Sequence, residues 1–178
     1  MIIIPNLLLI AGTGTKSGKT TMVCRIIEQF NELNITAIKI SPHFHEVTPG
    51  LKTIYKEKGY SIYEETNRDT TKDTSRMLRS GAARVYFAKV LDDRLRFVFD
   101  KIMDLIPAAT PIVGESPALR NFVEPGVFII MNSYTTNNRK NINHLQSLPH
   151  VFFKLEELSE ISSLSIGFKN GRWYDASM

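Results

Sequence analysis

A glycine-rich segment that directly follows an apolar run constrains the fold of this chain most. Residues 12–21 read GTGTKSGKTT, and the preceding residues 7–11 are all apolar. A buried strand, a glycine-rich loop and a helix in this order predict a loop that wraps its backbone N–H groups around nucleotide phosphates. The phosphates would also face a helix N-terminus, where orphan amides and the helix dipole favour negative charge. The expected nucleotide contacts are Gly14, Thr15, Lys16, Ser17, Gly18, Lys19, Thr20 and Thr21.

Individual positions in this glycine-rich loop (residues 12–21) have separate expected roles. Gly18 allows the backbone to approach the phosphates, Lys19 reaches the β- and γ-phosphates as a catalytic residue, and Thr20 ligates Mg²⁺. The usual pattern, G-x-x-x-x-G-K-[ST], has a glycine where this chain has Thr13, with glycines on both sides of it. Nucleotide binding is therefore the firmer expectation, and a loop that binds without hydrolysis stays open as an alternative.

The composition indicates a single domain over residues 1–178. The chain is long enough for a substantial core, and 43% of its residues are hydrophobic. No apolar run is long enough to cross a bilayer, the start lacks a secretory signal, and the only cysteine, Cys24, leaves no internal disulfide. We therefore expect a cytoplasmic protein without a membrane partner. The net charge of +4 is mild and no dense basic block occurs, so nucleic acid is not an expected partner.

Apolar periodicity predicts alternating strands and helices. The connection from the first strand through the first helix to the second strand is short, which predicts a right-handed crossover and a parallel pair. The expected fold class is α/β, a three-layer P-loop NTPase fold with a mainly parallel central sheet. Strands are expected at 7–11, 35–40, 84–90, 110–116, 127–131 and 151–153, and helices at 19–33, 71–80 and 91–106.

Two segments stand outside this alternation. Residues 50–70 form a polar insert, in which 51–58 are compatible with a short helix and 60–65 with one strand of a small hairpin. Residues 164–175 predict a C-terminal β-hairpin that turns at Asn170-Gly171, because this dipeptide favours a tight hairpin turn. Both segments are interpreted as additions to one nucleotide-binding domain.

Two charged residues occur on strands where a ligand is expected. Glu115 ends a predicted strand, and ligands bind beyond the carboxyl ends of parallel strands. We expect Glu115 to hold Mg²⁺ together with Thr20 and to act in catalysis with Lys19, whereas a surface carboxylate is the alternative. Lys39 lies in an otherwise apolar strand and either reaches solvent at the strand end or points towards the ligand cleft.

Further candidates for a second ligand follow these strands. His43 and His45, with Glu46 beside them, resemble a small metal cluster, although two solvated loop histidines give the same pattern. Asp73 is either an acid at a helix N-terminus, favoured by the helix dipole, or a ligand contact. Arg76 could face a ligand from the same helix.

Four segments of the chain, taken in order, resemble the molybdopterin-guanine dinucleotide biosynthesis adaptor family of MobB-like P-loop proteins. The third segment is the most informative, because a basic-Asp-x-x-Arg helix that ends in Gly-Ala-Ala is not required by the loop itself. The four segments are residues 16–21, residues 37–39 with the run to His43 and His45, residues 72–83, and the strand that ends at Glu115.

The resemblance implies a homodimer that binds GTP with Mg²⁺, hydrolyses it weakly, and assists a partner enzyme that attaches a nucleotide to molybdopterin. The chain departs from the family in four places, one of which is the stretch 119–126. The family is more compact where this chain has the 50–70 insert, Glu115 is followed by Ser116-Pro117 instead of glycine, and the C-terminal hairpin has no recognised counterpart.

Two functions of different classes are compatible with the sequence. The first is a GTP-binding adaptor or weak NTPase, and the second is a small-molecule kinase or ATP-dependent ligase in which arginines stabilise the transferred group. A protein that keeps the fold without catalysis is a third. The sequence leaves GTP and ATP open, because the guanine-reading motif Asn/Thr-Lys-x-Asp does not follow the strand that ends at Met131.

Overall fold

The computed structural model of the chain describes residues 1–42, 49–139 and 141–177. These residues form an α/β fold in which one large sheet is covered by helices. The strands are β1 (Ile2–Gly12), β2 (Thr36–Ser41), β3 (Leu51–Glu57), β4 (Tyr60–Glu65), β5 (Arg84–Val90), β6 (Ile112–Glu115), β7 (Val123–Asn132), β8 (Val151–Lys154), β9 (Ile166–Lys169) and β10 (Arg172–Asp175). The α-helices are α1 (Lys19–Gln29), α2 (Asp73–Arg79), α3 (Leu95–Met103) and α4 (Asn143–Gln146).

Within the described residues, eight strands form the main sheet in the order β3-β4-β5-β2-β6-β1-β7-β8. Every neighbouring pair from β5 to β8 is parallel, whereas β3 and β4 add to one edge in antiparallel orientation. The α/β class with a mainly parallel sheet is thus confirmed. The predicted pairing of the first two strands is wrong, because β6 lies between β1 and β2 and pairs with both.

Helices pack on both faces of this sheet because alternate side chains of its strands point to opposite sides. On β1, Leu7 and Leu9 join the core beneath α3, whereas Leu8 and Ile10 join the core beneath α1 and α2. All four leucine and isoleucine side chains are fully buried, as the continuous apolar run predicts for a central parallel strand.

The connections that follow β1 and β6 leave the sheet on opposite faces. β1 leads into α1, and β6 leads into the 3-10 helix Pro117–Asn121, whose Leu119 belongs to the core on the α3 face. Adjacent parallel strands whose connections diverge in this way leave a crevice beyond their carboxyl ends, where ligands bind in open α/β sheets. The glycine-rich loop and Glu115 both lie at this crevice.

The polar insert differs from its prediction in one half. Residues 51–58 do not form a helix: they form β3, which pairs with β4 and extends the sheet. The strand expected at 60–65 is present as β4, and it also pairs with β5. Cross-strand pairing with β4 therefore decides the conformation of this segment against its weak helical pattern.

The helix predicted at 91–106 is shorter, since its first turn is a 3-10 helix and α3 ends at Met103.

The C-terminal hairpin, β9 and β10, covers the core on the α1 face. It turns at Asn170 and Gly171, both with positive φ. Trp173 is fully buried between Phe30 and Phe168, with ring centroids 5.2 and 4.9 Å away, and its Nε1 donates a hydrogen bond to the carbonyl of Ile112 at 3.1 Å. This segment therefore attaches directly to β6, the strand that ends at the crevice.

Among the described residues, no helix has both the length and the apolar character needed to cross a bilayer.

Candidate functional site

The glycine-rich loop turns sharply between β1 and α1. Lys16 and Gly18 both have positive φ, at 59° and 89°, and Gly18 is the N-cap residue of α1. A Cβ atom at Gly18 would lie 3.0 Å from Leu155 and 3.2 Å from Met131. Glycine is thus required here both for the left-handed backbone and for the close approach of two neighbouring side chains.

Asn132 and Asn137 bind this loop through hydrogen bonds, and neither was a predicted site residue. The Thr13 hydroxyl donates to Oδ1 of Asn132 at 2.7 Å, so the residue that replaces the usual glycine attaches the loop to the end of β7. Thr15 forms an antiparallel bridge with Asn137, with N–O distances of 2.9 and 3.0 Å. The signal for Asn132 was present, since it directly follows the apolar run of β7.

The loop exposes donors to the cleft. In the described part of the chain, the backbone N–H groups of Lys16, Ser17 and Gly18 have no protein acceptor, and all three residues line the cleft. The Lys19 ammonium donates to the carbonyl of Gly14 at 2.6 Å and to the Ser17 hydroxyl at 3.1 Å. Amides and an ammonium around one cavity form a cationic, donor-rich surface that suits an anion.

A chain of polar contacts links α1, β6, β2 and α2 beside this loop. The Thr20 hydroxyl donates to Glu115 Oε2 at 2.8 Å, and the Lys39 ammonium donates to Glu115 Oε1 at 3.0 Å. The same ammonium forms an ion pair with Asp73 at the first residue of α2. Of the two positions open for Lys39, the structure places it at the cleft, with Glu115 and Asp73.

Burial and charge act in opposite directions on this network. The Lys39 side chain is 17% exposed and that of Glu115 is 7% exposed. Burial disfavours the charged lysine, but the carboxylates of Glu115 and Asp73 prevail and raise the pKa of Lys39. Burial likewise opposes the charge on Asp73, yet the Lys39 ammonium prevails and lowers the pKa of this carboxyl. Lys39 and Asp73 are therefore held in their charged forms.

Oxygen ligands for a hard cation are present at one point of the cleft. Glu115 supplies a buried carboxylate and Thr20 a hydroxyl 2.8 Å away. Mg²⁺ characteristically takes one or two protein oxygens and completes its shell with water and phosphate oxygens, so this pair fits Mg²⁺ bound with a phosphate ligand. The described residues hold no group of three or more His, Cys, Asp or Glu that would bind a metal unaided.

Helix α2 brings one further predicted residue to the cleft. Arg76 donates to the Thr21 hydroxyl at 3.4 Å and lies 3.7 Å from Asp73. The two histidines proposed as second-ligand candidates, His43 and His45, fall outside the described residues.

The loop, Lys39, Asp73, Arg76 and Glu115 line a cleft of about 550 Å³ at the carboxyl ends of β1, β2 and β6, a volume suited to a small molecule. Comparisons with protein families, with curated proteins and with solved structures found no match to this chain. The chemistry of the cleft is therefore the basis for assigning a function.

Proposed function

We propose that this chain is a P-loop nucleotide-binding protein that holds a nucleoside triphosphate and Mg²⁺ in the cleft. The observation that carries the proposal is the convergence of three loop amides, the Lys19 ammonium and the Thr20–Glu115 oxygen pair on one cavity. Phosphates need donors and positive charge, whereas their metal needs oxygen ligands. The loop supplies the first set and the neighbouring strand end supplies the second.

Each side chain has a defined part in this proposal. The amides of residues 16–18 bind phosphate oxygens, and the Lys19 ammonium exchanges the Gly14 carbonyl for the β- and γ-phosphates. Thr20 and Glu115 hold the cation, which neutralises phosphate charge when bound. Glu115 must then share its oxygens between the cation and Lys39. Nucleotide binding would therefore change the contacts of the Lys39 ammonium with Glu115 and with Asp73 at the start of α2.

The biological role that we propose is a GTP-binding adaptor or weak NTPase of the molybdopterin-guanine dinucleotide type. It is supported by the resemblance of the loop, the segment 72–83 and the strand that ends at Glu115. In this role the protein acts as a homodimer and assists a molybdopterin-processing enzyme. The resemblance also implies that turnover is slow.

A small-molecule kinase or ATP-dependent ligase is the second candidate. It is favoured by Arg76, which lines the cleft beside Thr21 and can neutralise a transferred phosphoryl group. Turnover distinguishes the two candidates. Slow hydrolysis without an added metabolite supports the adaptor, and hydrolysis that rises sharply with one metabolite supports the kinase or ligase.

Nucleotide titrations test the proposal itself. We expect wild-type protein to bind GTP or ATP with Mg²⁺, and Lys19→Ala to weaken that affinity about 10- to 100-fold, because a charge-assisted hydrogen bond contributes about 1.5–3 kcal/mol. Lys52→Ala removes the same charge from the exposed strand β3 and should leave affinity unchanged. Absence of binding to both nucleotides in the wild type would refute the proposal.

The cation site has its own measurement. Glu115→Gln keeps the size of the side chain but removes its charge. In the wild type, we expect nucleotide affinity to be higher with Mg²⁺ than with EDTA. The variant should lose most of this increase, whereas its affinity in EDTA should change little. An equal Mg²⁺ effect in the variant and the wild type would remove Glu115 from the cation site.

A further inference from the structure

A second cavity lies on the outer side of α1. It has a volume of about 500 Å³ and is bordered by α1, by α2 and by the 3-10 helix Leu155–Glu157 with the residues that follow it. Thr21, Arg76 and Leu155 line both this cavity and the cleft. The two spaces are therefore adjacent and share one guanidinium group.

The charge around this second cavity is strongly one-sided. Among the described residues that line it, Arg25, Arg76 and Arg79 carry three positive charges and Glu28 carries one negative charge, which leaves two positive charges. Arg76 is paired with Asp73, but within the described part of the chain no carboxylate forms an ion pair with Arg25 or Arg79. This differs from the cleft, where Lys39 is neutralised by two carboxylates.

Backbone carbonyls hold the two unneutralised guanidinium groups in place. Arg25 donates to the carbonyl of Ile161, and Arg79 donates to the carbonyls of Arg68 and, at 3.1 Å, Thr70. These bonds fix the position of each group without cancelling its charge. A guanidinium has five N–H donors, so each retains several for a ligand.

We propose that this cavity binds a second ligand, a small molecule that carries a phosphate or diphosphate group. Guanidinium groups match phosphate oxygens in planar, paired hydrogen bonds, and the lining carries three guanidinium groups against one carboxylate. Ser80 and Ser159 add hydroxyls, whereas Leu155 and Leu158 offer an apolar surface to the remainder of the molecule. The site does not require that the glycine-rich loop bind a nucleotide.

The shared residue Arg76 predicts how the two sites communicate. A ligand phosphate that takes up the Arg76 guanidinium competes with its contacts to Thr21 and Asp73. Occupation of the second cavity would thus change the surroundings of the Lys39–Asp73 pair. The ligand would lie on the outer side of Thr21, next to the proposed nucleotide phosphates.

Inorganic pyrophosphate is the probe, titrated calorimetrically into Lys19→Ala protein so that the loop lysine does not contribute. We expect the additional pair Arg25→Gln and Arg79→Gln to weaken pyrophosphate affinity at least tenfold. Lys169→Gln together with Arg172→Gln, an equal charge change at exposed positions of β9 and β10, should leave it unchanged. Glu28→Gln should raise it severalfold, because the cavity loses its one carboxylate.

Glu28→Gln keeps the proposal testable should the double variant fold poorly, since a gain of affinity does not follow from a damaged fold. No pyrophosphate binding, equal affinity in the Arg25/Arg79 variant, or no gain with Glu28→Gln would each overturn the second site. Failure of the wild type to bind nucleotides, with arginine-dependent pyrophosphate binding intact, would refute only the nucleotide function.

Discussion

The central parallel strands differ from β3, the outer strand of the antiparallel edge hairpin (β3 and β4), in the burial of their charged residues. On β2 and β6, Lys39 and Glu115 are largely buried, and each is satisfied by residues from other elements. On β3, Lys52, Lys56 and Glu57 are exposed to solvent. A charge on a central strand requires partners in space, whereas a charge at a sheet edge requires only water.

The buried charges lie at the cleft, whereas the exposed charges of β3 lie away from it. Among the described residues, those that line the cleft come from the loop, from β2, β6 and α2, and from the segments that follow β2, β6, β7 and β8, and none comes from β3 or β4. The edge hairpin widens the sheet and its charged side chains protect an exposed edge. We infer that buried, mutually paired charge marks the working end of this sheet.

The largest contrast is expected from one substitution made in both regions. Lys39→Met leaves the buried Glu115 carboxylate without its ammonium, and breaking such a pair from one side is costly. We expect a loss of about 2–4 kcal/mol in the free energy of unfolding, reduced from the fully buried case because Asp73 is partly exposed. Lys52→Met should change it by less than about 0.5 kcal/mol. Equal losses in urea unfolding would abolish the distinction.

Two glycines with nearly equal φ allow the loop and the edge hairpin to be compared by the same substitution. Gly18 has φ 89° and Gly59, at the turn of the edge hairpin, has φ 90°. Alanine is strained at both, at about 1 kcal/mol, but a Cβ at Gly18 would also lie 3.0 Å from Leu155, whereas at Gly59 the nearest atom is 3.5 Å away. We expect Gly18→Ala to cost about 2 kcal/mol and Gly59→Ala about half of that, measured by denaturant unfolding. A larger loss at Gly59 would contradict the packing of the loop against Leu155.

The smallest effect concerns Asp73 and depends on pH. The Lys39 ammonium lowers the pKa of Asp73 in the folded protein against the effect of burial, so the pair stabilises the fold above the ordinary aspartate pKa of about 4. As pH falls below that value, the unfolded chain takes up the proton first and this stabilisation is lost through the folded pKa. At pH 7 we expect Asp73→Asn to cost about 0.5–1 kcal/mol, because the side chain is 42% exposed and screened by solvent.

Urea unfolding of the wild type and Asp73→Asn at pH 7 and again at about pH 3 measures this dependence. The difference between the two proteins should narrow at the lower pH. Asp69→Asn, in the exposed loop before α2, serves as the matched control and should show little difference at either pH. A difference for Asp73→Asn that stays constant with pH would mean that its charge plays no part.

The sequence predicted the elements whose pattern is local and unambiguous. The apolar runs of β1 and β7 and the turn at Gly18 are where the sequence places them. The prediction of a helix at residues 51–58 was wrong because their apolar residues fit a short helix as well as a strand. Only pairing with β4 decides between the two.

The sequence predicted the individual residues of the site but not the contacts between them. Lys39, Asp73 and Glu115 each stood out alone, as a charge in an apolar strand, an acid at a helix start and a carboxylate at a strand end. Their contact depends on the position of β6 beside β2 and on the packing of α2, because Asp73 and Glu115 lie 34 and 76 positions after Lys39 in the chain. Arg25 and Arg79 gave no signal, because a helical arginine is usually a solvated surface charge.

Hydrogen–deuterium exchange with and without Mg²⁺ and nucleotide shows whether the glycine-rich loop binds the phosphates. We predict slower exchange in peptides covering residues 13–21, where the amides of Lys16, Ser17 and Gly18 have no acceptor within the described protein, and no change in peptides covering the edge hairpin. Nucleotide binding that leaves exchange at 13–21 unaltered, or that slows it in β3 and β4 instead, would contradict the assignment of this loop as the phosphate site.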